Sequence, residues 1–144
     1  MKKHPSSGAR FRRIRRDMRG SVLVEAAIAL PLLVMLLMGI LVYGSWFMTA
    51  HSLQQAANEA ARSAVAGLDA PERQALARQS VAASTASLPL RNARPIGVNS
   101  RQDGAFFTVT LDYDLSGDPL FSSTLVPVPS RTIQRRAVIR IDER

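Results

Sequence analysis

The sequence predicts an α+β protein: a single N-terminal transmembrane helix continues beyond the membrane and is followed by a second helix and a small antiparallel sheet. Three observations predict this class. Residues 26–50 are 25 consecutive positions without a charge. Alanine and leucine then recur at helical spacing on both sides of Asp69. From Phe107 onward the spacing of apolar residues changes to two, which is typical of a half-buried strand.

The uncharged segment is long enough to cross a bilayer. A helix of that length spans about 37 Å, whereas a hydrocarbon core is about 30 Å thick. A secretory signal peptide has an apolar run of only about 7–15 residues and an A-x-A cleavage site. Only Met48-Thr49-Ala50 lies near the required place. We therefore predict a retained transmembrane helix over residues 21–50, between a basic leader (1–20) and an extracytoplasmic domain (51–144).

The positive charge of the chain lies in its leader. The net charge is +8, and residues 1–20 hold eight Lys and Arg against Asp17. The positive-inside rule places this end in the cytoplasm and the domain across the bacterial inner membrane, with Tyr43 and Trp46 in an interfacial aromatic belt. A twin-arginine export signal and a nucleic-acid-binding tail are two other interpretations. Topology accounts for the charge without them, so we expect no nucleic-acid partner.

Composition argues against catalysis and metal binding. The chain has no cysteine, and its two histidines are far apart in the sequence. Asp112 and Asp114 share a strand face near Asp118, so a calcium site or a carboxylate pair is one interpretation. A solvated strand face is the simpler one. We expect no enzyme activity, no cofactor and no metal.

The segment Arg19-Gly20-Ser21-Val22-Leu23-Val24-Glu25 leads directly into the apolar run. A carboxylate inside a membrane helix is unusual, because a charge at mid-bilayer costs on the order of 2.5–3.5 kcal/mol. Glu25 is less deep than that, and the dipole at a helix N-terminus offsets part of the cost. One interpretation is an acidic residue at a helix start, neutralised by Arg19 or by lipid headgroups.

The other interpretation depends on spacing, which resembles the prepilin cleavage motif. In that motif a membrane-embedded aspartyl peptidase cuts after a glycine on the cytoplasmic side, and a glutamate is the fifth residue of the mature chain. Cutting after Gly20 makes Ser21 the first residue and Glu25 the fifth. A glycine leaves the peptidase cleft unobstructed and keeps the backbone extended. The resemblance also implies that Glu25 pairs with the terminal amine of a neighbouring subunit.

Among prepilin-like proteins, the segment is most similar to the TadE-like minor pseudopilins of tight-adherence (Flp-type) pili. The features that carry this similarity are Gly20, Val24-Glu25, Ala26-Ala27-Ile28-Ala29, Leu30-Pro31-Leu32-Leu33, Gly39 and Tyr43-Gly44. Two residues depart from related patterns: Ser21 replaces the methylated aromatic residue of ordinary type IV pilins, and Ala26 occupies a site that is often aromatic. Pro31 removes a helix hydrogen bond from the Ala27 carbonyl and predicts a kink.

The resemblance implies a pilin-like fold and a role in pilus assembly. Its partners would be the inner membrane, a prepilin peptidase, other pilus or pseudopilin subunits and the assembly platform. Both incorporation into the pilus and retention in the inner membrane remain open. The alternative function is an unprocessed, single-pass envelope scaffold or ligand-binding protein.

The remaining elements follow in order after the membrane segment. An apolar stripe on the continuing helix is predicted at Leu53, Ala57, Ala60, Ala64 and Leu68. It is expected to pack either on the domain's own sheet or on a neighbouring subunit. Gly67-Leu68 ends this helix, and Asp69 with Glu72 predicts a capping box for a second helix that runs to about Ser87, before Pro89.

Three strands complete the predicted domain. One runs from Phe107 to Leu115, and residues 96–99 are its expected partner, with residues 100–104 as the connecting loop. The last strand covers residues 132–141. It places Ile133, Ala137, Ile139 and Ile141 on one face and Arg136 and Arg140 on the other.

Overall fold

The computed structural model describes residues 18–86, 95–122 and 126–141. The elements in chain order are α1 (Met18–Ala64), α2 (Ala70–Thr85), β1 (Gly97–Asp103), β2 (Phe106–Asp114) and β3 (Thr132–Arg140). The predicted α+β class is confirmed. Among the described residues, α1 is the one candidate membrane span by length and composition.

The chain divides into two compact units, Met1–Val34 and Met35–Arg144. In the first unit, the described residues 18–34 are helical throughout, and the large apolar side chains from Val22 to Val34 are exposed. The second unit contains the remainder of α1 together with α2 and the sheet. Residues 1–17 of the predicted leader lie outside the described residues.

Within the second unit, the C-terminal part of α1 joins the core with α2 and the sheet mainly through small side chains. The fully buried residues of this helix are Val42, Leu53, Ala57, Ala60, Ala61 and Ala64. Four of the five predicted stripe positions are therefore confirmed. The prediction is wrong for Leu68, which is 89% exposed, because α1 ends at Ala64 and the helical period does not continue into the turn that follows.

The turn between the helices ends in the predicted capping box. The N–H of Glu72 donates to Oδ1 of Asp69 at 2.8 Å, and the carboxylate of Glu72 accepts from the N–H of Leu68 at 2.7 Å. The first bond satisfies a main-chain donor that the start of α2 leaves without a helical partner, and the second holds the N–H of the residue before the N-cap. The residues expected at the end of α2, Ser87 and Pro89, lie outside the described part of the chain.

The sheet is antiparallel, with β2 between β1 and β3. The predicted loop at residues 100–104 is wrong: β1 extends to Asp103, which pairs with Phe106. The polar side chains of β1 resemble a loop in sequence because this strand lies at the sheet edge, where alternate positions are exposed. The hairpin turn is Gly104-Ala105, and the positive φ of Gly104 (53°) fits the first position of a type II′ turn.

The sheet buries one face, as its period-two pattern predicts. On β2 the side chains of Phe107, Val109, Leu111 and Tyr113 are buried, and Ile133 and Ala137 continue this face on β3. They form one apolar cluster with the alanines of α1 and with Ala77 and Val81 of α2. The sheet therefore covers the C-terminal part of α1 and fixes which side of that helix remains free.

The outer edge of β3 is partly closed by side chains. Main-chain bonds join Leu115 to Arg131 (2.8 Å) and Ile141 to Ala105 (2.7 Å) across the β2–β3 pair, so the even-numbered residues of β3 direct their carbonyls away from β2. Three consecutive outward carbonyls accept side-chain hydrogen bonds: Thr132 from Ser130 Oγ (2.7 Å), Gln134 from Arg135 Nη1 (2.9 Å) and Arg136 from Gln54 Nε2 (3.1 Å).

Candidate functional site

The predicted cleavage site lies in the first turn of α1. Gly20 and Ser21 follow closely after the helix start at Met18, and both are exposed. A Cβ placed on Gly20 would meet no atom within 4 Å. The backbone here is helical and not extended as expected. A peptidase that binds an extended segment would therefore have to unwind this turn, whose first N–H groups have no helical partners.

Glu25 lies one helical turn after Ser21 and is exposed among apolar neighbours. Val22 (61%), Val24 (63%) and Ile28 (62%) are all largely exposed beside it. Among the side chains that the structure describes, none forms an ion pair with Glu25; the side chain of Arg19 is outside that set. The i, i+4 spacing puts Ser21 and Glu25 on one side of the helix.

Pro31 lies within α1, which is helical on both sides of it. Its ring nitrogen has no hydrogen to donate to the Ala27 carbonyl. The helix tolerates this loss without interruption. The kink expected at Pro31 stays a prediction.

The apolar surface of α1 extends far beyond what a water-soluble protein exposes. From Val22 to Leu41 nearly every large apolar side chain is about half exposed or more, including Leu36 at 60% and Ile40 at 60%. Exposed apolar patches on soluble monomers rarely exceed a few hundred Å². This N-terminal helix indicates a membrane anchor.

The structure places two aromatic residues of α1 against the segment that precedes β3. The hydroxyl of Tyr43 donates to the carbonyl of Pro127 at 2.9 Å, and Nε1 of Trp46 donates to the carbonyl of Ser130 at 3.1 Å. We call residues 126–130 the α1-contact loop. Sequence reasoning assigned these rings to the lipid interface and missed the loop, because contacts between residues 84 positions apart leave no local pattern.

Arg135 adds a third link between β3 and α1. Its Nε donates to the carbonyl of Ala50 at 3.2 Å, and its guanidinium lies 5.9 Å from the centroid of the Trp46 ring. A signal for this contact was present in the sequence. Arg135 has the same parity as Ile133 and Ala137, so it faces the helix, and a charged side chain at such a position needs partners.

The three aspartates considered for chemistry hold local structure. Asp112 accepts from Nε2 of Gln134 (2.7 Å), Asp114 from the N–H and hydroxyl of Ser116 (2.8 and 2.6 Å), and Asp118 from the N–H of Leu120 (2.9 Å). In the described ranges, no three acidic, histidine or cysteine side chains are grouped to hold a metal. These carboxylates therefore act as turn and strand acceptors.

A polar groove lies between the two helices. Its volume is about 650 Å³, and its lining comprises Ser52, Gln55, Ala56, Asn58, Glu59, Arg62 and Ser84. The groove brings together hydroxyl and amide groups with one carboxylate and one guanidinium.

Part of the chain matches a known protein family. Residues 20–62 match the family described as TadE-like protein. The matched segment begins at Gly20 and covers most of α1, whereas α2 and the sheet lie outside it. Neither a curated protein nor a solved structure matches the chain. Over its N-terminal helix the chain is therefore similar to TadE-like proteins.

Proposed function

We propose that this chain is a minor pseudopilin that a prepilin peptidase cuts after Gly20 and that then acts in the assembly of tight-adherence pili. Its partners would be other pilus or pseudopilin subunits and the assembly platform, and it would serve the peptidase as a substrate, without catalytic activity of its own. In this arrangement the leader is cytoplasmic and the second unit lies across the inner membrane.

The family match starts at the proposed cleavage site, close to the beginning of α1, and this coincidence is the main support for the proposal. The match begins at Gly20, in the exposed first turn of α1. Glycine lowers helix stability by about 1 kcal/mol relative to alanine, and few helical hydrogen bonds hold a first turn. Both properties favour local unwinding at this point, which would present an extended segment to a peptidase.

Glu25 supports the assembly role through charge compensation. An isolated carboxylate in hydrocarbon is costly, and the side chain of Glu25 is exposed on the helix surface. Cleavage after Gly20 would create a positively charged amine at Ser21. In every copy this amine would lie one helical turn before Glu25. A neighbouring copy could then supply the partner that Glu25 needs, since the two buried charges offset one another.

Mass spectrometry of the mature N-terminus tests the processing step. In cells with an active prepilin peptidase we expect a chain that starts at Ser21, and in cells without it an intact leader. Gly20→Leu should keep the leader in both. Gly44→Leu is the matched control, because Gly44 is also an open helix position but lies far from the cut. An intact leader in peptidase-positive cells would favour the alternative, an unprocessed envelope scaffold.

A second comparison tests the role of Glu25. Glu25→Gln keeps the shape of the side chain but removes its charge, so we expect normal membrane insertion and a loss of assembled pili. Glu59→Gln is the control on the same helix, since Glu59 is exposed at the groove. Normal piliation of the Glu25→Gln strain would contradict the pairing role and leave the cleavage step unaffected.

A further inference from the structure

We propose that the α1-contact loop lies in the headgroup layer of the membrane that α1 enters, with the hydrocarbon core ending near Leu41. The domain would then rest on the lipid surface through this loop. The proposal rests on α1 being a membrane anchor and is independent of cleavage after Gly20.

The apolar part of α1 that precedes its contacts with the domain is long enough to fill a hydrocarbon core. From Val22 to Leu41 the helix presents large apolar side chains on most of its circumference, whereas Val42 is completely buried by the domain and, beyond it, Phe47 (61%) and Met48 (68%) remain exposed on α1. At 1.5 Å per residue this segment is about 30 Å long, equal to the thickness of a typical hydrocarbon core. Lipid chains can therefore surround the helix as far as Leu41. Beyond Leu41, the domain covers the side of the helix on which Val42 lies.

Arg135 sets an upper limit for the hydrocarbon boundary. Its Nε donates to the carbonyl of Ala50 at 3.2 Å. A hydrocarbon core that extended to Ala50, as the uncharged segment of the sequence allows, would enclose this guanidinium at a cost of up to about 2.5–3.5 kcal/mol. A boundary near Leu41 leaves Arg135 about 13 Å farther along the helix, outside the apolar layer.

The chemistry of the next turn fits the headgroup layer. This layer is about 5–7 Å thick on each side of the core, which corresponds to residues 42–46 of α1. Tyr43 and Trp46 lie there, and amphipathic rings with a polar end favour this depth. The loop carbonyls that accept from them, on Pro127 and Ser130, must lie at the same depth.

The composition of the loop suits the same place. Val126 is buried against the domain and Val128 is half-buried, while Pro127, Pro129 and Ser130 are exposed. Proline has no main-chain N–H that would need a partner when water is scarce. The following residue, Arg131, is exposed and can contact lipid phosphates.

Depth-dependent fluorescence quenching tests the proposal on the full chain in phosphatidylcholine–phosphatidylglycerol vesicles. The chain has one tryptophan and no cysteine, so Trp46 reports without any substitution, and single-cysteine variants carry one dye each. We would compare Leu36→Cys, Ser130→Cys and Ala66→Cys, with nitroxide lipids labelled either on the headgroup or at mid-chain. Ala66 follows the end of α1, roughly 30 Å beyond Tyr43 along the helix.

We expect the Leu36 dye to be quenched mainly from mid-chain, and the Ser130 dye and Trp46 at least about twofold more strongly from the headgroup, with no quenching at Ala66. Quenching of Leu36 without quenching of Ser130 or Trp46 would overturn the proposal and leave the membrane anchor intact. Stronger quenching of the Ser130 dye from mid-chain than from the headgroup would also overturn it. A disulfide cross-link between the Ser130→Cys positions of two copies would overturn it as well, because a second copy would then cover the loop. An unquenched Leu36 dye would overturn insertion and the proposed function together.

Discussion

Arg135 of β3 lies over the indole ring of Trp46 in α1, with 5.9 Å between the guanidinium carbon and the ring centroid. The same guanidinium donates to the carbonyls of Ala50 (3.2 Å) and Gln134 (2.9 Å). Its partners are thus a ring face and two carbonyl oxygens. This arrangement lets a cation occupy an inward-facing strand position and joins the sheet edge to the helix.

Replacing Arg135 with alanine should lower the free energy of unfolding by about 1–3 kcal/mol, because it removes a charge-assisted hydrogen bond and the contact with Trp46. Urea unfolding of the full chain in micelles, followed by far-UV circular dichroism, measures this. Arg136→Ala is the control: its side chain is exposed, so we expect a change within about 0.5 kcal/mol. Equal effects of the two variants would show that Arg135 contributes no specific contact.

Replacing Tyr43 with phenylalanine removes one oxygen and keeps the ring. We expect a loss of about 0.5–1.5 kcal/mol, because the carbonyl of Pro127 loses its donor. Hydrogen exchange should also become faster in the segment before β3, since one of its ties to α1 is gone. Unchanged exchange there would contradict the anchoring role of the hydroxyl.

Replacing Gly67 with alanine should lower the free energy of unfolding by about 1–3 kcal/mol through overpacking. A Cβ at Gly67 would lie 2.7 Å from the main-chain nitrogen of Arg73 and 3.0 Å from its Cα, so α2 must shift. Gly44→Ala is the matched control and should have the opposite sign: a Cβ there meets no atom within 4 Å, and alanine favours a helix interior by about 0.5–1 kcal/mol. Thermal unfolding followed by circular dichroism distinguishes the two, and a stabilised Gly67→Ala variant would contradict the packing of the turn.

Replacing Asp69 with alanine should cost about 0.5–2 kcal/mol, whereas Asp69→Asn should change stability little. The reason is that an asparagine oxygen can still accept from the N–H of Glu72, as Oδ1 of Asp69 does at 2.8 Å. Unfolding of both variants in urea checks this. A loss with asparagine as large as that with alanine would indicate that the negative charge, and not the capping bond, matters at this site.

Local patterns predicted much of this fold. The capping pair Asp69 and Glu72, the alanine stripe of α1 and the alternation along β2 all depend on residues within a few positions of one another, so the sequence displays them directly. The similarity of the N-terminal segment to TadE-like proteins is likewise confirmed by a match over residues 20–62. Both successes concern short-range spacing.

The errors and omissions arose where tertiary contacts override local patterns. Ser100 to Asp103 look like a loop, but pairing with β2 makes them an edge strand. Leu68 continues the apolar spacing of α1 but lies after the helix end and is exposed. The contacts of Tyr43 and Trp46 with the α1-contact loop join distant parts of the chain, and the sequence alone contained no periodicity that links them.

The side-chain bonds along β3 restrict how copies of this chain can associate. An open strand edge can add a strand from another molecule, and this route leads to domain swapping and amyloid. Here the carbonyls of Thr132, Gln134 and Arg136 are already bonded to side chains, so an incoming strand would first have to displace Ser130, Arg135 and Gln54. Growth by sheet extension is thereby disfavoured along this part of the edge.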